Sequence, residues 1–440
     1  MLNQDLNLKK IIQQQNPQWR TGFKLEKFTE RELVKKIKLD SKFIEIITGV
    51  RRSGKSVILK ILLQKLIEEK KINPREILFL NLDYPHFIPV YENSTHLDKL
   101  VSQAEELTGR KIKYLFLDEI QNVQNWEKWV KAVYDEKIFK KIFLTGSNAD
   151  LLNSRNITRL SGRYFAHFNL PFSFKEFLQA RKKKFYSNLI DNLNIRHQLL
   201  KEFDKYLRLG GFPEVVMENN PEILNSYYQT ILQKDVLTEI DTKNTLPLQE
   251  LAYWLITNFT SLFTYNKLGH LLGIDEMTVR RYIQLLQDVF LMFDLKKFDP
   301  SLRKQARNPK KIYLVDNGLA YQIGFNFTEN KGSYFENLVF LNLLKHQSEI
   351  FYHQENKKEC DFIIKQGLKV IAAYQACYEL SAENKEREIA GLINALEKYQ
   401  LSVGRIITRD QEETIKIGNK KIEIIPAWQW LLSEDKLLEK

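Results

Sequence analysis

The chain has 440 residues, 43% of them hydrophobic and 28% charged, which is a globular composition long enough for about three domains. No apolar run reaches the roughly 18 residues needed to cross a bilayer, and the first residues lack the apolar segment of a signal peptide. Two cysteines are too few for a disulfide framework. We therefore expect a soluble cytoplasmic protein with no membrane segment. The net charge of +12 favours a polyanionic partner, although a solvated lysine-rich surface would give the same charge.

The first part of the chain alternates between helical and β-type patterns. Residues 1–40 have helical spacing, with a Thr-x-x-Glu capping pattern at Thr29. Between Phe43 and Phe168, helical runs separate five β-type runs: FIEIITG, EILFLNLD, KYLFLDE, KIFLTGS and RYFAHFNL. This alternation predicts an α/β fold, with a mostly parallel sheet covered on both faces.

The residues after the first β-type run fit G-x-x-x-x-G-K-[ST], the pattern of a phosphate-binding loop. Its glycines let backbone N–H groups face phosphate oxygens, and Lys55 would reach the β- and γ-phosphates. The Ser56 hydroxyl would bind Mg²⁺, while the following helix directs its positive dipole end at the same anion. We predict that ATP is bound by Gly49, Arg51, Arg52, Ser53, Gly54, Lys55, Ser56 and Val57.

Two acids end the third β-type run. Asp118 is placed to hold Mg²⁺ through water, and Glu119 to orient and deprotonate the attacking water. As a pair at a strand end they could instead cap a helix, but they follow a phosphate loop in the same sheet. We therefore predict that Glu119 and Lys55 are catalytic and that Ser56 and Asp118 are metal ligands.

Polar and cationic residues follow the fourth β-type run. Thr145, Ser147 and Asn148 end that run, and we predict that Ser147 senses the γ-phosphate; turn chemistry is the alternative. Arg159 and Arg163 come next. One of them would stabilise transition-state charge in cis or from a neighbouring subunit, unless it forms a structural salt bridge. We favour Arg163.

Residues 264–292 have the pattern of a helix-turn-helix, with a turn at Gly273 and a cap at Asp275. The spacing predicts one buried face: Leu268, Leu271, Val279, Ile283 and Leu286. The outer face carries Thr278, Arg280, Arg281 and Gln284, and a strand-like basic stretch follows as a wing with Lys304, Arg307, Lys310 and Lys311. These features predict a winged helix that contacts double-stranded DNA. An ATPase lid and a protein-docking module are the alternatives.

The C-terminal part places Glu336 on a helix and Asp361 on a strand. This order resembles the PD-(D/E)xK nuclease fold, in which acids bind Mg²⁺ and a lysine aids the nucleophile. The next strand reads Gln375-Ala376-Cys377 in place of Glu-x-Lys, and a cysteine cannot replace an ammonium group. We predict a degenerate nuclease-like site of Glu336, Asp361 and Gln375, with Lys365 or Lys369 as a possible substitute for the lysine.

The motifs GVRRSGKS, LDEIQ, LTGSN, LSGR, PFSFKEF and GGFPEVV occur in this order and resemble those of a group of bacterial and archaeal AAA+-type ATPases. That group carries a C-terminal domain often likened to restriction endonucleases. The resemblance extends from about residue 20 to the 430s, and it implies ATP and Mg²⁺ as ligands. The expected division is a helical segment at 1–40, an ATPase core at 41–170, a helical lid at 171–235, a winged helix at 236–325 and an endonuclease-like domain at 326–440.

These features predict an Mg²⁺-dependent ATPase that acts on or near DNA. A protein of another class is the first alternative: a nucleotide-controlled switch that binds a protein partner. An active metal-dependent nuclease is the second. Because a neighbouring copy could supply the arginine, a homo-oligomer is one expected state.

Overall fold

The computed structural model of the protein describes residues 2–151, 158–183, 193–240, 245–325, 330–346 and 349–433. The chain forms two compact units, Met1–Asn169 with Asp288–Phe290, and Leu170–Gln287 with Leu291–Lys440. None of the helices in the described residues is long and apolar enough to span a membrane. The finer division into five segments remains a prediction.

The described part of the first unit contains a five-stranded parallel sheet, as the sequence predicts. Its strands are β1 (Ile44–Thr48), β2 (Ile77–Asn81), β3 (Tyr114–Asp118), β4 (Lys141–Gly146) and β5 (Tyr164–Phe168). They lie in the order β2-β3-β4-β1-β5, and all four pairings are parallel. The carboxyl ends of β1, β3 and β4 therefore lie next to one another at one edge.

Both faces of this sheet are covered. Successive strand residues point to opposite sides, so one strand contributes side chains to both buried clusters. Ile44 and Ile46 belong to one buried cluster, and Ile47 belongs to the other. Leu62 of a covering helix packs in the second cluster. The helices of this unit are α1 (Leu2–Gln15), α2 (Lys55–Glu68), α3 (Ile88–Tyr91), α4 (His96–Thr108) and α5 (Trp126–Asp135). Short 3-10 turns lie at Pro17–Trp19, Pro74–Glu76, Pro85–Phe87, Ile120–Asn122, Ala149–Leu151 and Thr158–Leu160.

The helical prediction for residues 1–40 holds for α1 but is wrong for most of the remainder. Residues 23–31 have no regular structure, and a 3-10 helix at Glu32–Lys36 follows. That turn starts after Arg31, with no side-chain cap, so the capping pattern at Thr29 is not used. Arg31 is itself buried, and its guanidinium binds groups far away in the chain. Tertiary contacts here override the local pattern.

The second unit begins with helices. They are α6 (Phe174–Ala180), α7 (Leu193–Leu209), α8 (Pro213–Glu218), α9 (Ile223–Thr230) and α10 (Leu246–Thr257), with a π-helix at Ile231–Val236 and a 3-10 turn at Leu237–Glu239. A complete capping box at Ser173 and Glu176 starts α6. Residues 184–192, which belong to the expected helical lid, lie outside the described residues.

A helix-turn-helix with a small antiparallel sheet follows in the second unit. It comprises β6 (Leu262–Phe263), α11 (Tyr265–Leu272), α12 (Glu276–Asp288), β7 (Met292–Lys296), α13 (Leu302–Arg307) and β8 (Lys310–Leu314). The strand order is β6-β8-β7. The strand-like prediction for the basic stretch is wrong at α13, whose first turn is capped by the Ser301 side chain.

The C-terminal part contains a six-stranded mixed sheet in the order β13-β14-β12-β11-β10-β9. Its strands are β9 (Glu349–Glu355), β10 (Lys358–Gln366), β11 (Lys369–Ala376), β12 (Val403–Thr408), β13 (Glu413–Ile417) and β14 (Lys420–Pro426). Strands β13 and β14 pair in antiparallel fashion on either side of Gly418 and form a hairpin. The helices are α14 (Asn317–Ile323), α15 (Lys331–Lys345), α16 (Lys385–Lys398) and α17 (Ala427–Leu432).

The motif GGFPEVV is fixed by a buried carboxylate. Asp316 accepts hydrogen bonds from the backbone N–H of Gly211 (2.6 Å) and of Gly318 (2.8 Å). A Cβ atom on Gly210, whose φ is +75°, would lie 1.9 Å from Asp316 Oδ1. Burial raises the pKa of Asp316 to about 7, while its backbone hydrogen bonds act in the opposite direction. The close approach of Asp316 thus requires glycine at position 210, whereas at Gly211 a Cβ atom would lie 2.3 Å from the backbone oxygen of Phe172.

Candidate functional site

The predicted phosphate loop connects the end of β1 to the start of α2. Gly49 has φ of +148°, and a Cβ atom there would lie 2.2 Å from the backbone oxygen of Asn169. Gly54 precedes α2 in a left-handed conformation, with φ of +93°. Both conformations favour glycine, which agrees with a loop whose backbone approaches a ligand closely. Arg51, Arg52 and Ser53 lie in this loop, while Lys55, Ser56 and Val57 form the first turn of α2.

Two residues that the sequence did not single out brace this loop. The Arg31 guanidinium donates to the backbone oxygen of Ser53 (2.8 Å) and to Asn169 Oδ1 (2.9 Å). Asn169 Nδ2 donates to the same Ser53 oxygen and to Ser53 Oγ, both at 3.0 Å. All three side chains are buried. No local sequence signal identifies them, because Arg31 is 138 positions from Asn169.

The Lys55 ammonium group lies inside the loop. Its Nζ donates to the backbone oxygens of Gly49 (3.1 Å) and Val50 (3.3 Å), and lies 3.4 Å from Glu119 Oε1. Lys55 is 4% exposed. A desolvated ammonium group with donors directed at carbonyl oxygens can exchange these partners for phosphate oxygens.

Asp118 ends β3 and is fully buried. Its Oδ1 accepts a hydrogen bond from the Thr145 hydroxyl, and Thr145 Oγ1 in turn accepts from the backbone N–H of Glu119 (3.0 Å). Burial raises the pKa of Asp118, as does the charge of Glu119, whereas hydrogen bonds from Ser56 and Thr145 and the charge of Lys55 oppose the rise. The structure thus brings Lys55, Ser56 and Asp118 together, as predicted.

Glu119 adopts a left-handed conformation with φ of 56°, which is unusual for a residue with a side chain and is common where function imposes strain. Gln121 Nε2 donates to Glu119 Oε2 (2.6 Å) and to Ser147 Oγ (3.3 Å), so Gln121 connects the two predicted residues. Burial raises the pKa of Glu119, but Lys55 and Gln121 more than offset it and the pKa lies below its usual value. Glu119 is therefore held in its ionised form, which a base requires.

Buried oxygen atoms without a hydrogen-bond partner indicate where this site could bind Mg²⁺. Asp118 Oδ2 and Gln121 Oε1 are buried and make no hydrogen bond within the described part of the chain. No group of three or more His, Cys, Asp or Glu side chains in that part could hold a metal. Mg²⁺ commonly uses one or two carboxylates and completes its shell with phosphates and water. Asp118 and Ser56 fit such a site, which needs a bound nucleotide for its remaining ligands.

The two candidate arginines lie elsewhere in the first unit. Arg163 precedes β5 and adjoins the start of β1, where its backbone oxygen accepts from Ile44 N–H (2.9 Å). The phosphate loop follows the opposite end of β1, about 15 Å away at 3.3 Å per residue. Arg163 instead pairs with Asp135 (2.7 Å). Arg163 therefore lies away from the phosphate loop of its own chain, and its action at the γ-phosphate, in cis or from a neighbouring subunit, stays a prediction. Arg159 pairs with Glu127.

The helix-turn-helix is present, with Gly273 in a left-handed conformation at the end of α11. Asp275 Oδ1 accepts from the Thr278 N–H (2.9 Å), which confirms the predicted cap, and the Thr278 hydroxyl also donates to Asp275. Leu268, Val279, Ile283 and Leu286 are buried as predicted. The prediction for Leu271 is wrong, because this side chain is 60% exposed.

The predicted DNA-contacting cations have different surroundings. Arg280 pairs with Glu276 (2.6 Å), and Arg281 donates to the Glu239 backbone oxygen (3.1 Å); both are exposed. Lys304 and Arg307 are exposed on α13. Lys310 is 5% exposed, and its Nζ lies 4.7 Å from the ring centre of Tyr265. The prediction that Lys310 contacts a phosphate is therefore not supported, because this side chain is buried.

The predicted nuclease-like residues converge on a lysine from another element. Lys311 Nζ lies 2.9 Å from Glu336, 3.2 Å from Asp361 and 2.6 Å from Glu359. Gln375 Oε1 accepts from the Asp361 backbone N–H (3.2 Å). Of the two suggested substitutes, Lys365 pairs with Glu349 instead, and Lys369 is exposed at the start of β11. The ammonium group beside these carboxylates thus comes from β8, where the sequence predicted a surface wing.

Lys311 and Asp361 are buried in this cluster, while Glu336 and Glu359 are partly exposed, and one ammonium group is shared by three carboxylates. Lys311 is 4% exposed; burial lowers its pKa, but the carboxylates around it raise it well above the usual value. Burial and the charge of Glu336 raise the pKa of Asp361. Tyr313 donates to Glu336 (2.6 Å). Cys360 and Cys377 are buried free thiols. An ammonium group between three carboxylates occupies the position that a cation would need.

Comparison with protein families supports an AAA domain in the first part of the chain. Residues 41–178 match a family model described as "AAA domain". Residues 200–330 and 331–430 match two domains of unknown function, DUF8612 and DUF4143. An uncharacterized protein of Methanocaldococcus jannaschii, MJ1544, is 32% identical over 419 residues, which are 90% of each chain. The chain belongs to this family of AAA-domain proteins. An uncharacterized protein of Haemophilus influenzae is another relative, 31% identical over 89% of this chain and 95% of its own.

Solved structures give weaker likenesses. The Aeropyrum pernix Orc1 protein in complex with DNA has a TM-score of 0.32 at 12% identity, covering 73% of this chain and 90% of its own. AMPPCP-bound DnaA from Aquifex aeolicus has a TM-score of 0.27 at 17% identity, covering 61% and 92%. TM-scores this low do not establish a shared function.

Proposed function

We propose that the protein is an Mg²⁺-dependent ATPase that acts on or near DNA. The observation that carries the ATPase part is the grouping of Lys55, Ser56, Asp118 and Glu119 at one edge of a parallel sheet. Within this group, Asp118 keeps a buried oxygen without a hydrogen-bond partner in the described residues. Glu119 lies 3.4 Å from Lys55 and is held in its ionised form.

Each residue has a separate role in the proposed reaction. The loop N–H groups and Lys55 bind the phosphates, and the Ser56 hydroxyl and Asp118 would hold Mg²⁺, which neutralises phosphate charge when bound. Glu119 orients the attacking water and accepts its proton. Gln121 holds Glu119 in place through its side-chain amide, which also donates to Ser147. Loss of the γ-phosphate can therefore affect the positions of both Glu119 and Ser147. The test is steady-state ATP hydrolysis by the full chain with and without Mg²⁺.

The DNA part of the proposal is supported by the exposed cations of the helix-turn-helix and of α13. Arg281 lies on α12, and Lys304 and Arg307 lie on α13. With a net charge of +12, the chain would attract a polyanion from a distance. Thr278, engaged in the cap of α12, is a weaker candidate than the sequence predicted.

Reversing charge on α13 is expected to weaken DNA binding. Lys304→Glu with Arg307→Glu should lower affinity for double-stranded DNA and reduce the slope of log affinity against log salt by about 2, because each phosphate contact contributes about 1. Fluorescence anisotropy over a salt series measures both quantities. Lys369→Glu with Lys416→Glu is the matched control, since both lysines are exposed on the C-terminal sheet. Equal affinity and slope in the two variants would contradict a DNA contact here.

A second candidate function is a nucleotide-controlled switch that binds a protein partner. The observation in its favour is the exposure of large apolar side chains on the helix-turn-helix and α13: Leu271 at 60%, Met277 at 72% and Leu302 at 79%. Such residues are more typical of protein-docking surfaces than of phosphate contacts. ATP hydrolysis that does not respond to DNA would favour this candidate.

A further inference from the structure

The second unit contains a cavity that the proposed ATPase does not use. Its volume is about 540 Å³, within the range of small-molecule sites. Residues of α7, of α14 and of the start of α15 line the cavity, together with Tyr378. The lining also includes Asn219 and Pro221, from the turn between α8 and α9.

Cations predominate among the charged groups of the lining. Lys201, Lys205 and Arg208 recur along α7 at spacings of four and three residues, which places them on one helix face. Lys331 joins them from α15. The lining carboxylate of Asp204 is already held by Arg409, through two contacts of 2.9 and 2.6 Å. Burial lowers the pKa of Lys205, and the nearby charge of Arg181 lowers it further. The cavity therefore has a local excess of positive charge, which an anion would relieve.

Tyrosine side chains form an aromatic wall of the cavity. Tyr321, Tyr334 and Tyr378 all line the cavity, and the rings of Tyr321 and Tyr334 have centres 6.2 Å apart. Tyr321 is 45% exposed, so one of its surfaces is accessible to a ligand. Lys331 Nζ lies 5.6 Å from the ring centre of Tyr378, which places a cation next to an aromatic surface. Aromatic rings beside lysines suit a ligand that combines a flat base with a phosphate.

We propose that this cavity binds a nucleoside phosphate, with its base against the tyrosine rings and its phosphate against Lys201 and Lys205. The ligand is either a free nucleotide or a nucleotide within single-stranded nucleic acid, which share this chemistry. The cavity shares no lining residue with the phosphate loop. It lies in the second compact unit, whereas the loop lies in the first. It does not depend on ATP hydrolysis at Lys55.

The test uses the full chain with Lys55→Ala, which weakens nucleotide binding at the phosphate loop. This variant is expected to bind fluorescently labelled ATP at one saturable site. Adding Lys201→Glu and Lys205→Glu should weaken that binding about tenfold or more, because charge-assisted hydrogen bonds to phosphate are lost. Adding Lys369→Glu and Lys416→Glu instead, an equal change in net charge outside the cavity, should leave it unchanged. The proposal is overturned if Lys55→Ala binds no labelled ATP, or if both pairs of substitutions act alike.

A second variant tests the aromatic wall without adding charge to α7. Tyr321→Ala is expected to weaken binding of labelled ATP severalfold, because a stacking surface is lost. Inorganic triphosphate should displace labelled ATP much less well than ATP does; equal displacement would overturn the assignment of a base to this cavity. Stronger displacement by oligothymidylate than by ATP identifies a nucleic-acid strand as the source, and the reverse order identifies the free nucleotide. The chain with Lys201→Glu and Lys205→Glu but with Lys55 intact is assayed for ATP hydrolysis. This rate reports the activity of the phosphate loop separately from binding in the cavity.

Discussion

Glu119→Gln is expected to reduce the rate of ATP hydrolysis by about 10²- to 10⁴-fold while ATP binding is retained, because general-base catalysis contributes about that much. The amide keeps the size of the side chain but cannot accept the proton of the attacking water. Lys55, Ser56 and the loop N–H groups, which bind the phosphates, are unchanged. Removing the carboxylate also removes a partner 3.4 Å from Lys55, so affinity for ATP should stay equal or rise.

Steady-state hydrolysis and equilibrium binding of labelled ATP separate these effects. Glu106→Gln is the matched control, because Glu106 lies on α4 with a side chain that is 64% exposed. Hydrolysis at the wild-type rate by Glu119→Gln would remove Glu119 from the role of base. Loss of binding together with hydrolysis would instead assign Glu119 to the structure of the loop.

Lys311→Met is expected to lower the free energy of unfolding of the second unit by about 3–5 kcal/mol, the range for breaking a buried ion pair by removing one partner. Methionine has a similar length but leaves Glu336, Glu359 and Asp361 without their shared ammonium group. Urea unfolding measures the difference. Lys365→Met is the control, because its partner Glu349 has a side chain that is 56% exposed, and exposed pairs contribute about 0–1 kcal/mol.

The loss of unfolding free energy in Lys311→Met should depend on pH. Without Lys311 the clustered carboxylates have higher pKa values folded than unfolded, so the folded state binds more protons and stability falls as pH rises through that interval. The loss should therefore be smaller at pH 5 than at pH 8. An equal loss at both values, or a loss no larger than that of Lys365→Met, would contradict the role of Lys311 as the neutralising group.

Local patterns were sufficient to predict the parallel sheet and the phosphate loop. The five strands are short apolar runs, and the glycines at positions 49 and 54 occupy backbone conformations that favour glycine. Asp118 and Glu119 were predictable because parallel strands end at a common edge. These signals depend on residues close together in sequence.

Contacts between distant residues were not predictable in this way. Arg31 braces a loop 22 positions further along the chain, and its own segment resembled a helix. Lys311 stood in a run of basic residues that indicated an exposed wing, but it lies 50 positions from Asp361, its partner in the fold. Arg163 was favoured from the sequence, whereas in the fold it adjoins the start of β1, at the end opposite the phosphate loop. A charge pattern does not indicate which cations are buried.

The most direct measurement is Mg²⁺-dependent steady-state ATP hydrolysis by the wild-type chain and by Lys55→Ala, each with and without double-stranded DNA. Hydrolysis that requires Mg²⁺, rises with DNA and is lost in Lys55→Ala is the predicted result. Hydrolysis at the wild-type rate by Lys55→Ala, or a rate independent of Mg²⁺, would contradict catalysis at this loop.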